Sequence, residues 1–335
     1  MEINKIYPLF SLFLLLLILA IVDLSLGSVS IAISEIFNTL LGLNVVNDTT
    51  EIILWQSRFP QTMTALFVGG ALAVSGLQMQ TLFRNALAGP SVLGISSGAS
   101  LGVALVIMTF SFLEIPLNGI YNKFITTFSA IIGAGSVLLI IVLLSNKIRS
   151  NVTLLVLGLM FGYISSAAIS VLQFYTSQEK LQAYVFWGLG SFSNVTNSIL
   201  PILIIGISIM VILSFLVSKP LDAFLLGEEY AMSLGVDVMK MRIIIITLAG
   251  ILVGISTAFC GPIAFLGLAV PHLTRSLFFG ANHKLLIPAV FFSGASLALF
   301  CDIIAKLPGS EGTLPINAIT SIIGAPIVIW VILKK

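Results

Sequence analysis

Uninterrupted apolar runs of about 20 residues recur along the whole chain, and a helix of that length matches the hydrocarbon thickness of a bilayer. The runs lack the period-2 alternation of membrane barrel strands, so helices are favoured over strands. Hydrophobic residues make up 58% of the 335 residues and charged residues only 8%, whereas soluble domains carry roughly 25% charged residues. The sequence therefore predicts an all-α membrane protein, almost no part of which can exist as a soluble domain.

Ten apolar segments can be placed, and we expect each to cross the membrane as a helix within a single transmembrane domain covering residues 1–335. The first segment is too long for a signal-peptide core and is followed by no clear cleavage site, so we expect it to be retained. The segments are approximately 8–27, 60–82, 91–110, 123–145, 152–174, 198–217, 241–260, 263–279, 285–305 and 315–333. Longer connections lie near 28–57, 175–197 and 218–240.

If the ten segments cross the membrane in alternating directions, the basic residues fall mainly on one side. Eleven of the fifteen Lys and Arg residues then share one side, which the positive-inside rule assigns to the cytoplasm together with both termini. The cytoplasmic set is Lys5, Arg84, Lys147, Arg149, Lys219, Lys240, Arg242, Arg275, Lys284, Lys334 and Lys335. The external set is Arg58, Lys123, Lys180 and Lys306. Only the 218–240 connection is then a sizeable cytoplasmic loop.

Several functional classes are disfavoured by what the sequence lacks. The two histidines do not form an HExxH motif, and no Walker A or GxGxxG sequence is present, so the chain cannot hydrolyse ATP in the P-loop manner. Cys260 and Cys301 lie in apolar stretches and indicate neither a disulfide framework nor a metal site. There is no basic block of the kind that binds nucleic acid.

An ion-driven secondary transporter would need ionisable residues at mid-membrane, and the segments almost lack them. Asp23 and Asp302 fall near segment ends, where we expect interfacial water to solvate them. This class remains the alternative to the function inferred below.

Glycine spacing predicts close helix packing. Gly94, Gly98 and Gly102 follow an i, i+4, i+8 pattern, which places three bare backbone patches on one helix face. The alternative is that this face lines a pathway. The pairs Gly89-Pro90 and Gly261-Pro262 follow the second and seventh segments on opposite sides, as an inverted repeat would place them.

The cytoplasmic loop carries apolar residues near helical spacing, with acidic residues between them, over 222–236. Gly227 and Gly235 interrupt this pattern, which predicts two short helices with a turn. Their apolar face must be covered either by the membrane domain itself or by a cytosolic partner.

Six stretches, in order and at matching intervals, resemble motifs of one permease family. They are Arg58-Phe59-Pro60, Gly69 to Gln78, Arg84-Asn85-Ala86-Leu87-Ala88-Gly89-Pro90 continuing to Gly94, Gly227 to Gly235, Gly261-Pro262 continuing through Pro271-His272 to Arg275, and Glu311 to Pro326. The resemblance covers about 55–335 and is to the FecCD-type permeases, the membrane subunits of type II ABC importers for iron-siderophores, haem and cobalamin. Ala86 replaces the family's signature proline, Gln61 replaces an external arginine, and Lys306 replaces the arginine before the last segment.

The resemblance implies a homodimer with the translocation path at its interface, two cytosolic ATPase subunits, and an extracytoplasmic binding protein that delivers substrate. It implies no cofactor in this chain, ATP-Mg in the partner ATPase, and a bacterial inner-membrane location. The expected cargo is an iron chelate of the siderophore class, with haem or cobalamin as close alternatives.

The resemblance also assigns residues to roles. The ATPase-coupling set is Gly227, Glu228, Glu229, Ala231, Leu234 and Gly235. Arg58 and Lys306 are expected to dock the binding protein, the alternative for Arg58 being that it only marks a segment end. The remaining motif residues, structural or pathway-lining, are Arg84, Asn85, Pro90, Gly94, Gln78, Gly261, Pro262, Pro271, His272 and Arg275. For His272 we favour a hydrogen-bonded structural role over a metal or substrate ligand.

Overall fold

The computed structural model describes residues 3–27, 29, 31–42, 48–109, 120–148, 150–307 and 313–333, and every regular element in these ranges is helical. Each of the ten predicted segments contains a helix. These are α1 (Ile3–Ser25), α4 (Phe59–Leu82), α5 (Ile95–Thr109), α6 (Ile120–Ser145), α7 (Asn151–Tyr175), α9 (Leu200–Leu216), α12 (Val238–Cys260), α13 (Leu266–Leu277), α14 (His283–Lys306) and α15 (Ile316–Leu333). Arg149, Glu311, Lys334, Lys335 and the side chain of Lys5 lie outside the described part.

The three longer connections contain the remaining helices. The first holds α2 (Ile33–Leu40) and α3 (Asp48–Ile53), the second holds α8 (Gln178–Gly188), and the cytoplasmic one holds α10 (Ser218–Leu226) and α11 (Glu228–Ser233). A π-helical turn over Leu54–Arg58 joins α3 to α4, so helix is continuous across this junction. The two short helices predicted in the cytoplasmic loop are therefore confirmed.

Among the described residues, six helices are long and apolar enough to cross a bilayer, and α9 with α10 forms a further candidate bent by 54°. The helices α5 and α15 are apolar but shorter. At 12 residues, α13 is about 18 Å long, well under the ~30 Å hydrocarbon thickness. A multi-pass membrane fold is thus confirmed, while the count of ten crossings and the sides of the termini stay predictions.

The helix α4 lies at the centre of the bundle. It packs against α14, α12, α13 and α9, and twenty of its residues are buried. A helix buried on all sides shows no single apolar face, and α4 carries buried Thr, Ser and Gln side chains as well as aliphatic ones. On one side of the bundle α1 packs against α14. On the other side α6 packs against α12, α5 packs against α6, and α7 packs against α5.

The glycine pattern is only partly as predicted. Gly98 and Gly102 face Gly133 on α6, so close packing of α5 on α6 is confirmed. Gly94 instead has φ +75° in the turn before α5 and packs against Gly158 of α7. The prediction of one shared face is wrong because the helix begins only at Ile95.

The segment predicted at 263–279 is a broken element. Residues 261–265 are non-helical, Phe265 has φ +66°, and α13 begins only at Leu266. Its first turn fits against α4, where a Cβ added at Gly76 would overlap the backbone of Gly267. The loop before α5 packs on the same place, since the Pro90 ring lies beside Gly267. The two Gly-Pro segments therefore meet inside the protein, although the inverted repeat itself stays a prediction.

Contacts between chain segments agree with the predicted alternation of sides. At the predicted cytoplasmic end, Arg242 donates to the carbonyl of Ile148 at 3.1 Å. At the other end, Asn197 donates to the carbonyl of Trp55 at 2.6 Å, and the N–H of Ser191 donates to the carbonyl of Cys260 at 2.8 Å.

Two glycines on α6 provide a matched test of the α5–α6 contact. A Cβ at Gly133 would overlap the carbonyl of Gly98, whereas a Cβ at Gly135 meets nothing within 4 Å. We expect Gly133→Ala to lower the unfolding free energy by about 1–3 kcal/mol through overpacking. We expect Gly135→Ala to be neutral or slightly stabilising, because alanine is the better helix former. Thermal unfolding of both purified variants checks this, and equal midpoints would contradict the packing.

Candidate functional site

The cytoplasmic loop forms two helices that meet at a sharp turn. Gly227 ends α10 and precedes α11 with φ +115°, a conformation that side-chain-bearing residues rarely adopt. Gly235, with φ +80°, follows the end of α11. The side chain of Asp237 then caps α12 by accepting from the N–H of Lys240 at 3.0 Å.

The helix α11 is anchored by a buried arginine. Glu228 accepts from Arg242 at 2.7 Å and from the Asn151 amide at 3.0 Å. Arg242 is only 2% exposed and also donates to the carbonyl of Ile148. One acidic side chain thereby ties α11 to α12, to the start of α7, and to the turn after α6. We call this the Glu228 tether.

The helix α10 has a separate anchor on the other half of the bundle. Asp222 accepts from the backbone N–H of His283 at 2.9 Å and lies 2.6 Å from its Nδ1. His283 Nε2 is 3.0 Å from the Thr81 hydroxyl, to which Arg275 donates at 2.7 Å. We call this chain of contacts the Asp222 tether. It joins α10 to α14, α4 and α13.

These anchors divide the predicted coupling set. Glu229, Leu234 and Gly235 are exposed, whereas Gly227 and Ala231 are buried in the chain itself. Glu228 is paired with Arg242 and its side chain is 30% exposed, so its predicted contact with a partner stays a prediction. Leu234 is 60% exposed, and three further apolar residues of the two loop helices are exposed as well, namely Leu226, Tyr230 and Met232. We call these four residues the coupling patch.

The predicted external docking cations do not face outward. Lys306 is 7% exposed and lies between Asp23 at 2.7 Å and Asp302 at 2.8 Å. The Gln61 amide donates to both carboxylate oxygens of Asp302, and Thr62 donates to Asp23 at 2.6 Å. The expectation that interfacial water solvates the two aspartates is therefore wrong, and so is the outward placement of Lys306.

Arg58 is turned inward as well, and is 4% exposed. Its guanidinium donates to the carbonyls of Leu24 at 2.7 Å and Ser25 at 2.8 Å, and also to that of Val29. These carbonyls follow the end of α1 or belong to its last turn, where helix groups lack intrahelical partners. Arg58 thus fastens the chain after α1 onto α4, and its burial contradicts the expected contact with a binding protein.

Two family-like motifs that are distant in sequence line one cleft at the cytoplasmic end. The cavity of about 270 Å³ is bounded by Gln80, Arg84, Asn85, Ala86, Leu225, His272 and Arg275. His272 Nε2 lies 3.1 Å from the carbonyl of Ala86, which agrees with the structural role favoured for it. The side chain of Asn85 accepts from the N–H of Leu87 at 2.9 Å.

The other motif residues lie in the packed interior. The amide of Gln78 donates to Ser214 of α9 at 2.8 Å, and a Cβ at Gly261 would overlap the carbonyl of Trp187. Pro271 is buried within α13, and the carbonyl of Pro262 lies beside Gly190. These contacts show that the residues pack against neighbouring helices and loops. Their pathway-lining role stays a prediction.

Residues 15–334 match the model of the FecCD transport family. The chain belongs to the FecCD transport family.

Relatives of this FecCD-family protein cover nearly its whole length. It is 36% identical over 326 residues to the hemin transport system permease protein HmuU of Yersinia pestis, covering 97% of this chain and 94% of that one. It is 35% identical over 323 residues to the vitamin B12 import system permease protein BtuC of Vibrio parahaemolyticus, covering 96% and 94%. A solved inward-facing structure assigned to the metal-chelate type of ABC transporter aligns with a TM-score of 0.85 and 31% identity, covering 98% and 99%.

The residues that hold the coupling helices carry little sequence signal. Pattern alone treats Arg242 only as a cytoplasmic charge and assigns no role to Asp222 and His283. One signal was present, because an arginine five residues into an apolar helix needs a partner. The identity of that partner depends on the tertiary fold.

We expect the external charge cluster to act on stability. Replacing Lys306 with Met leaves two carboxylates buried without their cation and should lower the unfolding free energy by about 3–5 kcal/mol. The neutral triple variant Asp23→Asn, Asp302→Asn, Lys306→Met should recover most of this loss. Thermal unfolding in detergent measures both variants. Wild-type stability of Lys306→Met, combined with weakened binding-protein affinity, would instead support the docking role.

The two tethers should be separable by hydrogen exchange. Arg242→Gln removes the charged partner of Glu228, so we expect amide exchange over 228–233 to rise about tenfold, as a lost charged hydrogen bond predicts. Exchange over 218–226 should stay unchanged. His283→Leu should give the reverse pattern. Equal acceleration of both helices in either variant would contradict independent anchoring.

Proposed function

We propose that this FecCD-family permease imports an iron chelate of the siderophore class as a homodimer in the bacterial inner membrane. Energy would come from two separate ATPase subunits on the cytoplasmic side, and substrate from an extracytoplasmic binding protein. The observation that carries this proposal is the coupling patch. It is an exposed apolar surface on two short helices that are firmly anchored to the membrane bundle.

An exposed apolar surface at the cytoplasmic end needs a protein cover, because water disfavours it. The patch includes Met232 and Tyr230, residue types enriched at interfaces. Glu229 is exposed beside it and has no side-chain hydrogen bond among the described residues, so it is free to meet a basic group. This combination fits a groove on a cytosolic ATPase.

The anchors give a route from that groove to the membrane. Movement of α10 would reach α4, α13 and α14 through the Asp222 tether. Movement of α11 would reach α6, α7 and α12 through the Glu228 tether. Gly227 is the joint at which the two movements can differ. Closure of the ATPase would thus be transmitted to two groups of helices instead of to one rigid body.

The proposed cargo rests on the relatives. They include hemin and vitamin B12 permeases and a transporter assigned to the metal-chelate type. These cargoes are bulky metal complexes. We place an iron chelate first, with haem and cobalamin as the close alternatives.

An ion-driven secondary transporter is less well supported. The buried Asp23 and Asp302 could have served as ion-coupling carboxylates, but both are paired with Lys306. Asp23 lies two residues from the end of α1, and Asp302 lies in the last two turns of α14. The ionisable groups therefore sit at one end of the bundle and away from its middle.

Reconstitution decides between these mechanisms. Proteoliposomes with the chain, the ATPase that co-purifies with it, and its binding protein should accumulate a labelled ferric siderophore only with ATP. An ATPase variant that binds but does not hydrolyse ATP should abolish uptake. Gradient-driven uptake by the chain alone would refute the proposal. Haem or cobalamin held by the purified binding protein would revise only the cargo.

The coupling patch is tested by Leu234→Asp. A charge in the middle of an apolar contact should weaken ATPase binding at least tenfold, which corresponds to about 1.4 kcal/mol. Lys219→Gln serves as the control, since Lys219 is exposed on the same side but lies outside the patch. Affinity is measured between purified permease and ATPase. An unchanged affinity for Leu234→Asp would show that the ATPase docks elsewhere.

A further inference from the structure

The cleft between α4 and α13 contains charged groups that transport coupling does not use. Its lining includes two guanidinium groups, those of Arg84 and Arg275, and no carboxylate. Both arginines belong to the family-like motifs; Arg275 takes part in the Asp222 tether through its bond to Thr81 and its electrostatic attraction to Asp222, whereas Arg84 takes part in neither tether. Two cations that share a cavity repel each other unless an anion lies between them.

Each arginine has unused donor capacity. The Nε of Arg275 is buried and has no hydrogen-bond partner among the described residues. The side chain of Arg84 makes no hydrogen bond or ion pair within those residues, although its Nη1 lies beside the Gly227 joint. A buried guanidinium N–H without an acceptor is costly, so the Nε of Arg275 can be satisfied by an acceptor from outside the chain, and the exposed Arg84 can donate to the same molecule.

The backbone supports the same conclusion. Arg84 has φ +47°, a left-handed conformation that is strained for a residue with a side chain. The turn is held by Asn85, whose Oδ1 accepts from the N–H of Leu87, leaving its amide N–H groups as further donors. A strained backbone conformation persists only where the surrounding structure enforces it, and such residues cluster at functional sites.

The nearby acids make their hydrogen bonds elsewhere. Glu228 is paired with Arg242, and Asp222 with His283, so Asp222 attracts Arg275 electrostatically without accepting a hydrogen bond from it. The chain itself therefore does not supply the missing acceptor within the described residues. Guanidinium groups match phosphate oxygens particularly well, because their forked N–H groups bind two oxygens at once.

We infer that this cleft, lined by Arg84, Arg275 and Asn85, is a binding site for a phosphate oxyanion. The phosphate has two possible sources, a phospholipid headgroup or free phosphate. Exposed apolar side chains beside the site favour the lipid. Leu277 and Phe279 lie two and four residues after Arg275 in the sequence and are exposed, Phe279 by 89%. Basic pockets between helices at the cytoplasmic membrane surface are typical headgroup sites.

The test measures binding, so it needs neither the ATPase nor transport. The full chain is purified in a phosphate-free detergent, and thermal midpoints are compared with and without added phosphatidylglycerol. The lipid-free sample is also titrated with inorganic phosphate. We expect a higher midpoint with phosphatidylglycerol, and retention of that lipid by the protein in native mass spectrometry.

Arg84→Gln and Arg275→Gln should each weaken that binding about tenfold, as loss of one charged hydrogen-bond donor predicts. Lys147→Gln should bind as wild type does, since Lys147 is an exposed cation of the same side and lies outside the cleft. Arg84→Gln is the safer variant, because Arg84 is exposed and holds no structural bond within the described residues. Arg84→Lys should restore part of the affinity.

The outcomes separate clearly. Arginine-dependent binding of phosphatidylglycerol alone supports the site and identifies the headgroup as its source. Arginine-dependent binding of inorganic phosphate supports the site with a free anion. Binding of neither probe, or equal binding by the arginine variants and Lys147→Gln, overturns the inference. None of these results bears on the proposed transport function.

Discussion

Within a bilayer no water is available to satisfy a polar group, so each charge and each free backbone group must find its partner in the protein. This constraint explains how the polar residues of the chain are arranged. Arg58 satisfies three carbonyls around the end of α1, and Arg242 satisfies a carbonyl beyond the end of α6. In a soluble protein, water could have solvated those helix ends. Here buried arginines replace it, and they thereby fix how neighbouring helices meet.

The same constraint accounts for the composition of the external cluster. Asp23 and Asp302 surround Lys306, and Arg58 lies within electrostatic range of Asp23. Two anions and two cations make the cluster neutral, which is the condition for burying it at tolerable cost. An arginine at position 61, as in the family pattern, would add a third cation to this set. Gln61 instead donates to Asp302 without adding charge, so the departure from the pattern and the burial of the cluster are consistent with each other.

The sequence predicted the helices well and their contacts poorly, for a physical reason. Apolar runs of this length reflect a lipid surrounding, in which the backbone must satisfy its own polar groups. Each of the ten runs therefore contains a helix. The two short helices around Gly227 were also predictable, since glycine interrupts a local pattern. The partners of Arg58, Lys306 and Glu228 were not, because an ion pair across the bundle depends on which helices become neighbours. Likewise, nothing local shows that helix begins at Ile95 and not at Gly94, or that α13 spans only part of the membrane.

Charge counting has a physical limit as a guide to orientation. It treats every Lys and Arg as an exposed charge, and the sides that it assigns stay a prediction. It does not distinguish a charge that faces solvent from one that neutralises a buried acid. Of the four external cations, Arg58 and Lys306 are buried, so the external surface offers far less positive charge than the sequence count implies. At the cytoplasmic end the charge of Arg242 is likewise neutralised by Glu228.

The charges that remain available to partners are those without an oppositely charged residue in the chain itself. On the part of the chain that the structure describes, these include Glu229 beside the coupling patch and the Arg84 guanidinium of the α4–α13 cleft, whose Nη1 lies beside the Gly227 joint.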